Sequence, residues 1–467
     1  MAVTELMEGV QPPAVEEAEE KPKDKDPIKI RIALFFDGTL NNRFNISERE
    51  GASEIYRAKA PKKGPNSYDN GRTNVAIMEQ NIRDTADGYD IALKWYIEGQ
   101  GTFNLEKDSG VGYALGAGDS GVAGRAEKGV KSAVTLIQNH EKMDAAQFYI
   151  EKLTIDVFGF SRGSATARYA IHLLLKDKKN PIYKRLQTAG YTINEAAVKV
   201  CFAGLYDTVL SYYGSQYLKS TSNVLEQKAV QFVDKQVIHL AAAEEHRKDF
   251  PLHNIRSAGA KGFEFFLPGV HSDVGGSYNL ASDKELEAET DESKKIYMKP
   301  TDEIEMDINE GDPNTLEKDR LYLKTQGWYT ESEMTITPLL LDEYDNTTYA
   351  ALTVTRKGIR TAYSNIPLKI MAEFAKDPEI NINIDIKLEK RANTILDAEP
   401  DLLMLEGKIK SYVGAKKGSK DSAPADWLND ASLFDIRHRH LHFSAKVGIG
   451  YSPRFSKGKR TRYEYDA

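Results

Sequence analysis

The sequence predicts an α/β fold: a mostly parallel sheet with helices on both faces, and a smaller C-terminal cap or accessory region. Two observations support this fold class. Apolar runs of strand length, rich in β-branched residues, alternate with helical segments over residues 28–281, as in parallel sheets that are covered on both faces. With 467 residues, 40% of them apolar and 28% charged, the chain is also large enough to bury a substantial core.

The individual elements follow from local patterns. Strands are predicted where apolar and β-branched residues dominate, at Ile28–Phe36 and in "DIALKWYIEG", "LTIDVF", "AVKVCFAGLYDT" and "FEFFLPGVHSD". Helices are predicted where apolar residues recur at helical spacing, around Thr73–Ala86, in "AEKGVKSAVTLIQNHEK" and "SATARYAIHLLLK", and over Gln231–Phe250. This alternation of strands and helices is what a parallel sheet requires.

Charge and cysteine content exclude some functions. The formal net charge of −7 gives no overall attraction to nucleic acid or to an anionic bilayer, so no nucleic-acid partner is predicted. The basic run "RFSKGKRTR", Arg454–Arg462, is interpreted as a solvated segment, with contact to phosphate or lipid head groups as the alternative. Cys201, the single cysteine, lies in an apolar run and is predicted to be a small core residue.

The run "GFSRGS" lies between a predicted strand and a predicted helix. Its Gly159-Phe160-Ser161-Arg162-Gly163 pattern is that of a nucleophile elbow, a sharp strand-to-helix turn that presents a serine hydroxyl. Glycine at positions 159 and 163 removes side chains that would collide across such a turn. A serine that only caps a helix is the alternative, and the flanking strand and helix favour the nucleophile.

A serine nucleophile needs a base and a carboxylate that orients the base. Side chains at the carboxyl ends of parallel strands meet at one edge of the sheet, and His271 directly follows a predicted strand. Asp207 ends another strand and is predicted to orient His271, which gives the usual Ser–Asp–His order. Asp273 is the runner-up carboxylate, and His442 is the reserve base.

The oxyanion hole is predicted to come from two backbone segments. One donor is the N–H of Arg162, the residue after the nucleophile, and the other comes from Asp37 and Gly38 in the loop "FFDGTLNN". The same loop resembles the D-x-D-G-T motif of haloacid-dehalogenase-like phosphatases. Phe35 stands where the nucleophilic aspartate of that motif would be, so phosphatase chemistry of this kind is set aside.

Three histidines alternate in the run "RHRHLHFS". On a strand, His438, His440 and His442 would share one face, and three histidines on one face could bind zinc. An exposed or interface strand of mixed polar residues is the favoured interpretation, so neither a metal nor another cofactor is predicted.

Composition divides the chain into four regions. Residues 1–27 are rich in Pro, Glu and Lys and predict a disordered leader without the apolar segment of a cleaved signal peptide, so we expect synthesis in the cytoplasm. Residues 28–281 are predicted to form the domain that carries Ser161. The densely charged residues 282–320 predict an exposed insertion, and residues 321–467 predict a C-terminal cap or accessory region packed on that domain.

Several motifs occur together in an order that is typical of one family. "FFDGTLNN", "GRTNVA", "YIEGQGT", "GFSRGS", "GLYDTVLS", "HLAAAEEHRKDF" and "LPGVHSDVGGSY" resemble the type VI secretion lipase effectors of the Tle1 kind, part of a wider α/β-hydrolase-like family. The resemblance covers residues 28–278 and extends more loosely into the C-terminal part. It implies an α/β-hydrolase-like sheet and a triad of Ser161, Asp207 and His271. The same three residues are predicted from their positions at the ends of strands.

The resemblance also implies an activity and a biological setting. It implies a phospholipase of the A type, which releases fatty acids from the glycerophospholipids of a membrane. It further implies export by the type VI system into the periplasm of a target cell, a spike or carrier protein as docking partner, and a cognate immunity protein. Two alternatives stay open: an esterase or thioesterase acting on a soluble acyl substrate, and a non-catalytic scaffold that retains the fold.

Overall fold

The computed structural model describes residues 24–61, 66–109, 118–210, 221–278, 289–300, 315–342, 347–418, 425–446, 451–456 and 459–467. Most of the predicted leader lies outside these residues, as do residues 279–288 and 301–314 of the charged region and its surroundings. Among the described helices, none is both long enough and apolar enough to cross a membrane.

A six-stranded sheet forms the centre of the molecule, and every neighbouring pair of its strands is parallel. In the described residues, the first seven strands are β1 Asp26–Phe36, β2 Ile91–Ile97, β3 Phe148–Phe160, β4 Val198–Tyr206, β5 Gln236–Ala242, the short β6 Leu252–His253, and β7 Gly262–Leu267. The order in the sheet is β2-β1-β3-β4-β5-β7. The predicted α/β class with a parallel sheet is therefore confirmed.

A second, three-stranded antiparallel sheet follows in sequence. Its strands are β8 Glu289–Pro300, β9 Met334–Asp342 and β10 Thr347–Arg360, with β10 in the middle. Strand β8 belongs to the region that was predicted as an exposed charged insertion, so part of this region is a paired strand. Three short strands complete the set, β11 Phe455–Ser456, β12 Lys459–Arg460 and β13 Glu464–Tyr465, and β13 pairs in parallel with β6.

Helices connect and cover the strands. The α-helices in the part of the chain that the structure describes are α1 Arg43–Glu50, α2 Glu54–Lys59, α3 Asn74–Asn81, α4 Val122–Gln138, α5 Arg162–Leu175, α6 Ile182–Thr188, α7 His271–Gly275, α8 Thr315–Thr325, α9 Asn365–Ala375, α10 Ile386–Asp397, α11 Pro400–Gly418 and α12 Phe434–His440. Short 3₁₀ segments lie at Glu195–Ala197, Thr221–Phe232, Arg256–Lys261, Glu331–Glu333, Ala362–Ser364, Trp427–Asn429 and Ala431–Leu433.

The side chains of β1 show that both faces of the sheet are covered. Ile30, Ile32 and Leu34 are fully buried in an apolar cluster that also contains residues of α4 and α5. Ala33 and Phe35, which alternate with them, are buried in a second cluster. Because successive side chains of a strand point to opposite faces, helices must cover the sheet on both sides.

Helices from the C-terminal part of the chain contribute to the second cluster. Met371 of α9, Leu388 of α10 and Leu405 of α11 are buried in the same cluster as Phe35 of β1. The region after residue 321 therefore shares a hydrophobic core with the central sheet.

The prediction of a helix over Gln231–Phe250 is wrong. A 3₁₀ segment ends at Phe232, and β5 follows, between β4 and β7 in the sheet. A central strand of a parallel sheet is buried on both faces, as β5 is from Val237 to Ala242. Such a strand lacks alternation of apolar and polar residues, and periodicity alone does not separate its short apolar run from a helical one.

The parallel arrangement brings four strand ends to one edge of the sheet. β1 ends at Phe36, β3 at Phe160, β4 at Tyr206 and β7 at Leu267. In parallel α/β sheets, binding and catalytic groups lie at the carboxyl ends of the strands. The segments that follow these four strands contain the residues predicted to act chemically.

Candidate active site

Ser161 lies in a sharp turn between β3, which ends at Phe160, and α5, which begins at Arg162. Its φ of 58° and ψ of −128° lie in a region that residues other than glycine rarely adopt. Backbone hydrogen bonds hold the turn: the Ser161 N–H donates to the Tyr206 carbonyl (3.0 Å), and the Ser161 carbonyl accepts from the Ser164 N–H (3.0 Å). Strained residues that are fixed in this way cluster at functional sites.

Both glycines of the G-x-S-x-G pattern are required, because the neighbouring backbone leaves no room for a side chain at either position. A Cβ atom on Gly159 would lie 2.6 Å from the Gly163 carbonyl oxygen and 2.6 Å from Ser164 Cα. A Cβ atom on Gly163 would overlap the carbonyl oxygens of Phe36 and Asp37. The loop after β1 therefore packs against the elbow, on the side where an oxyanion donor from an earlier strand end is expected.

We expect Gly163→Ala to destabilise the protein by about 3 kcal/mol, because the added methyl group has to displace backbone atoms that no rotamer change can move. Chemical denaturation, monitored by circular dichroism, measures the change in the free energy of unfolding. The matched control is Gly407→Ala in α11, where a Cβ atom meets nothing within 4 Å and where alanine should stabilise the helix by about 0.5–1 kcal/mol. Equal effects of the two substitutions on the free energy of unfolding would contradict the close packing of the elbow.

The structure brings Asp207 and His271 into contact. Asp207 directly follows β4, and His271 is the first residue of α7, shortly after β7. Oδ2 of Asp207 lies 2.5 Å from Nδ1 of His271, and both side chains are buried. Asp207 has a φ of 39°, so a second strained residue other than glycine lies at this edge of the sheet.

Four hydrogen-bond donors surround the Asp207 carboxylate. In addition to His271 Nδ1, the Ala242 N–H donates to Oδ1 (2.9 Å), and two guanidinium nitrogens of Arg462 donate to Oδ1 (2.6 Å) and Oδ2 (2.8 Å). Burial by itself raises the pKa of a carboxyl group, but the Arg462 charge and the His271 hydrogen bond hold the pKa of Asp207 well below its usual range. Asp207 is therefore ionised at neutral pH.

The interpretation of the basic run Arg454–Arg462 as a solvated segment is wrong for two of its arginines. The side chains of Arg460 and Arg462 are 5% and 8% exposed. Arg460 pairs with Asp319 (2.9 Å), and Arg462 pairs with Asp207 (2.6 Å). Both acidic partners are distant in sequence, so the run itself contains no sign of its burial.

Aromatic rings and a carboxylate surround His271. The centroid of the Phe160 ring lies 4.6 Å from that of the imidazole, and Phe250 contacts the imidazole edge-on at 5.1 Å. The backbone N–H of His271 donates to Oε2 of Glu245 (3.3 Å). Burial lowers the pKa of His271 below its ordinary value, although the hydrogen bond to Asp207 acts in the opposite direction. The imidazole is therefore neutral at pH 7 and able to accept a proton.

Phe160 directly precedes Ser161, and its ring contacts the His271 ring. The elbow and the imidazole are therefore close together. Nδ1 of His271 is bonded to Asp207, which leaves Nε2 to accept a proton. Within the described part of the chain, neither the Ser161 hydroxyl nor His271 Nε2 bonds to another group. Neither atom therefore has a competing hydrogen-bond partner in that part of the chain. Hydrogen bonds between a catalytic serine and histidine often tighten only when substrate binds.

The loop after β1 uses its N–H groups differently from the prediction. The Asp37 N–H donates to the Ile97 carbonyl (3.0 Å), and the Gly38 N–H donates to the Asp37 carboxylate (2.7 Å), so neither is available as an oxyanion donor. The next residue, Thr39, accepts a hydrogen bond at its hydroxyl from Nε of Arg162 (2.6 Å). Among the described residues, no group accepts the Thr39 N–H.

Asp37 acts on this loop through its side chain. Its buried carboxylate accepts hydrogen bonds from the hydroxyls of Tyr96 (2.5 Å) and Thr73 (2.7 Å). Burial raises the pKa of Asp37 to about 6, although the two hydroxyls lower it. The three residues fix the loop that packs against the elbow. Sequence reasoning missed Tyr96 and Thr73, although both occur in motifs that support the family resemblance.

The runner-up residues form a separate pair. Oδ1 of Asp273 lies 2.8 Å from Nδ1 of His442, and the Asp273 carboxylate also accepts the Val270 N–H (2.9 Å). The His442 ring stacks on Tyr278, with centroids 3.5 Å apart. Asp273 therefore fixes the start of α7 and the position of His442, whereas Asp207 is the carboxylate bonded to His271.

The three alternating histidines do not share one face, so the prediction of a strand is wrong. His438 and His440 lie in α12, where residues two apart point in different directions. Each of the three histidines contacts its own carboxylate. The partners are Glu333 for His438 (2.9 Å), Asp401 for His440 (3.0 Å) and Asp273 for His442 (2.8 Å).

One group of possible metal ligands occurs among the described residues, Glu399, Asp401 and His440. Arg360 pairs with Glu399 (2.6 Å), and Arg439 pairs with Asp401 (2.6 Å). The two carboxylate charges are therefore already compensated by arginines, and the group does not require a cation.

Part of the chain matches a known protein family. Residues 175–296 match the model of a family described as the catalytic domain of Tle1-like phospholipase effectors of the type VI secretion system. The matched region includes Asp207 and His271 and begins after Ser161. None of the curated proteins matches the chain.

The solved structures that match the chain include the following two. One, described as the Tle1 effector bound to the VgrG spike from the type 6 secretion system, has a TM-score of 0.61 at 19% identity, and the match covers 95% of this chain and 94% of that chain. The other, an uncharacterized protein from Pseudomonas aeruginosa, has a TM-score of 0.44 at 16% identity and covers 86% of this chain and 52% of that chain. The first match extends over nearly the whole chain.

Proposed function

We propose that this protein, whose residues 175–296 match the catalytic-domain model of Tle1-like phospholipase effectors of type VI secretion, is a serine-dependent phospholipase of the A type. The family match confirms the resemblance that the ordered motifs predicted. The observation that carries the proposal is the 2.5 Å contact between Asp207 and His271, at the edge of the sheet where Ser161 occupies a strained elbow. Ser161 is the proposed nucleophile, His271 the base, and Asp207 the residue that orients the base.

In the proposed mechanism, Nε2 of His271 takes the hydroxyl proton of Ser161 while the serine oxygen attacks the ester carbonyl. Asp207 holds the Nδ1 proton and stabilises the imidazolium that forms. His271 then gives its proton to the leaving lysophospholipid oxygen as the acyl–oxygen bond breaks, and the acyl group remains on Ser161. Water, deprotonated by His271, attacks this acyl-enzyme, and the fatty acid leaves as the serine hydroxyl recovers its proton.

Two backbone N–H groups are proposed to stabilise the negative charge on the tetrahedral intermediate. One belongs to Arg162, which directly follows the nucleophile at the N-terminus of α5, where the helix dipole also favours negative charge. The other belongs to Thr39 in the loop after β1. The 2.6 Å hydrogen bond from Arg162 Nε to the Thr39 hydroxyl supports this pairing, because it ties the two segments together.

The substrate and the biological setting are proposed from the family. We extend to this chain the glycerophospholipid substrate of a membrane, and delivery by the type VI system into the periplasm of a target cell. The similar structure described as bound to a VgrG spike supports a spike or carrier protein as docking partner. A cognate immunity protein in the producing cell is part of the same proposal.

Fatty-acid release from vesicles of phosphatidylethanolamine and phosphatidylglycerol tests the proposed activity. We expect the wild-type protein to release fatty acid and leave lysophospholipid, and Ser161→Ala to release neither. The position of the acyl chain that remains assigns the A1 or A2 type. Release of diacylglycerol or of a free head group would contradict the A type.

A parallel assay on a soluble short-chain ester separates the alternatives. Hydrolysis of this ester without release from vesicles would favour an esterase or thioesterase acting on a soluble substrate. Absence of both activities in the wild-type protein would favour a non-catalytic scaffold.

A further inference from the structure

Arg462 makes an unusually complete set of contacts with the carboxylate of the proposed triad. Its terminal nitrogens donate to both oxygens of Asp207, at 2.6 Å and 2.8 Å, and its Nε donates to the Phe250 carbonyl (2.7 Å). This two-pronged arrangement is the strongest geometry for a guanidinium and a carboxylate. His271 bonds to one of the same carboxylate oxygens, so Arg462 and His271 share one anion.

The segment that carries Arg462 is fixed against the main domain on both sides of the arginine. Strand β13 pairs with β6, the Leu252 N–H donates to the Tyr463 carbonyl (2.7 Å), and the Asn254 N–H donates to the Tyr465 carbonyl (3.1 Å). Arg460 lies within hydrogen-bond distance of Nε2 of His246 (3.2 Å). The backbone of residues 460–465 is therefore held in one place, and the Arg462 side chain reaches the triad from a defined position.

We propose that Arg462 is a positioning residue of the active site: it orients the Asp207 carboxylate toward Nδ1 of His271 and sets how readily His271 takes up a proton. The proposal rests on the proposed function, because it assigns a role within the same triad. It makes residues 459–467 part of the active site, although they are the most distant in sequence from Ser161.

The charges around His271 determine whether loss of Arg462 raises or lowers the pKa of His271. A cation that shares Asp207 with the imidazole opposes protonation of His271, and Arg247 acts in the same direction, whereas Asp207 and Glu245 favour protonation. The other titratable groups that face this set are Glu464, beside Arg462, and His239 and His253, whose pKa values burial lowers. Removing the Arg462 charge should therefore raise the pKa of His271.

The test is the pH dependence of kcat/KM for Arg462→Gln, with dihexanoyl phosphatidylcholine, a phospholipid that dissolves as monomers, as substrate. At low pH, kcat/KM should fall as His271 becomes protonated, and we call this fall the acidic limb. For the wild type, we expect its midpoint below the ordinary histidine pKa of about 6.5, because burial lowers the pKa of His271. In Arg462→Gln, the limb should move to higher pH by about one unit. The plateau value should fall by about 10²-fold, as expected when a catalytic group is misplaced.

Two further variants separate positioning from a purely structural role. Arg462→Lys keeps the charge without the two-pronged contact, so it should keep the wild-type limb with an intermediate plateau. Asp466→Asn removes a charge on the same segment, the one that pairs with Arg256 (2.5 Å), without touching Asp207, and it should keep the wild-type limb and activity. A limb that shifts equally in Arg462→Gln and Asp466→Asn, or in neither, would overturn the proposal.

Titration of the His271 Nδ1 proton by NMR gives a readout that does not depend on activity. A higher pKa of His271 in Arg462→Gln than in the wild type is the expected result, and an unchanged or lower pKa would refute the role of Arg462. A failure of the proposed function is distinguishable from this, because it would appear as hydrolysis by Ser161→Ala or as no hydrolysis by the wild type. Circular dichroism of each variant confirms that the compared proteins are folded.

Discussion

Ser161→Ala is expected to lower kcat/KM for phospholipid hydrolysis by about 10⁶-fold, with the fold unchanged. The substitution removes the hydroxyl oxygen that is proposed to attack the ester. His271→Ala should cause a similar loss, and the double variant should be little worse than either single one, because the two residues are proposed to act in one step. Steady-state release of fatty acid measures the three variants.

Ser164→Ala is the matched control for this experiment. Ser164 lies one helical turn after Ser161, and its buried hydroxyl donates to the Tyr206 carbonyl (3.0 Å). Its loss should reduce stability by about 1 kcal/mol and leave hydrolysis intact. Comparable losses of activity in Ser161→Ala and Ser164→Ala would show that the elbow fails through folding, and activity retained by Ser161→Ala would place the nucleophile elsewhere.

Asp207→Asn is expected to lower kcat by about 10⁴-fold, because an amide in this position does not hold His271 in the tautomer that accepts the serine proton. A second effect concerns stability. Arg462 loses the buried anion that compensates its charge, which should destabilise the fold by about 3–5 kcal/mol. Denaturation and fatty-acid release, measured on the same preparations, separate the two effects.

The double variant Asp207→Asn/Arg462→Gln distinguishes these two effects further. Removing the arginine together with the carboxylate leaves no unpaired buried charge, so stability should recover relative to Asp207→Asn alone. Activity should not recover, because His271 still lacks its anionic partner. Recovery of activity together with stability would mean that Asp207 serves the fold alone.

The strained turn at Ser161 and the contact between Asp207 and His271 could be predicted from the sequence, because each depends on signals that are local in the chain. A strand, a G-x-S-x-G turn and a helix follow one another within 25 residues, from Lys152 to Lys176. Asp207 and His271 were found because each follows an apolar strand, and a parallel sheet places such positions at one edge. The structure brings these two side chains together as expected.

The parts that could not be predicted depend on partners distant in sequence. Arg462 lies 255 residues from Asp207, and a basic run has the same composition whether it is solvated or buried against a carboxylate. Strand β5 looked helical because a strand buried on both faces loses its alternation. The donors of the loop after β1 were assigned by position, and only the hydrogen bonds show that Asp37 and Gly38 use their N–H groups locally.

Ser161 is proposed to be a nucleophile that His271 activates. Labelling of the folded protein with a fluorophosphonate, followed by peptide mass spectrometry, tests this claim, since the reagent forms a covalent bond with an activated serine. We predict one adduct, on Ser161, which is absent in Ser161→Ala and strongly slowed in His271→Ala. An adduct on another residue, or labelling of Ser161 that is equally fast without His271, would contradict the claim.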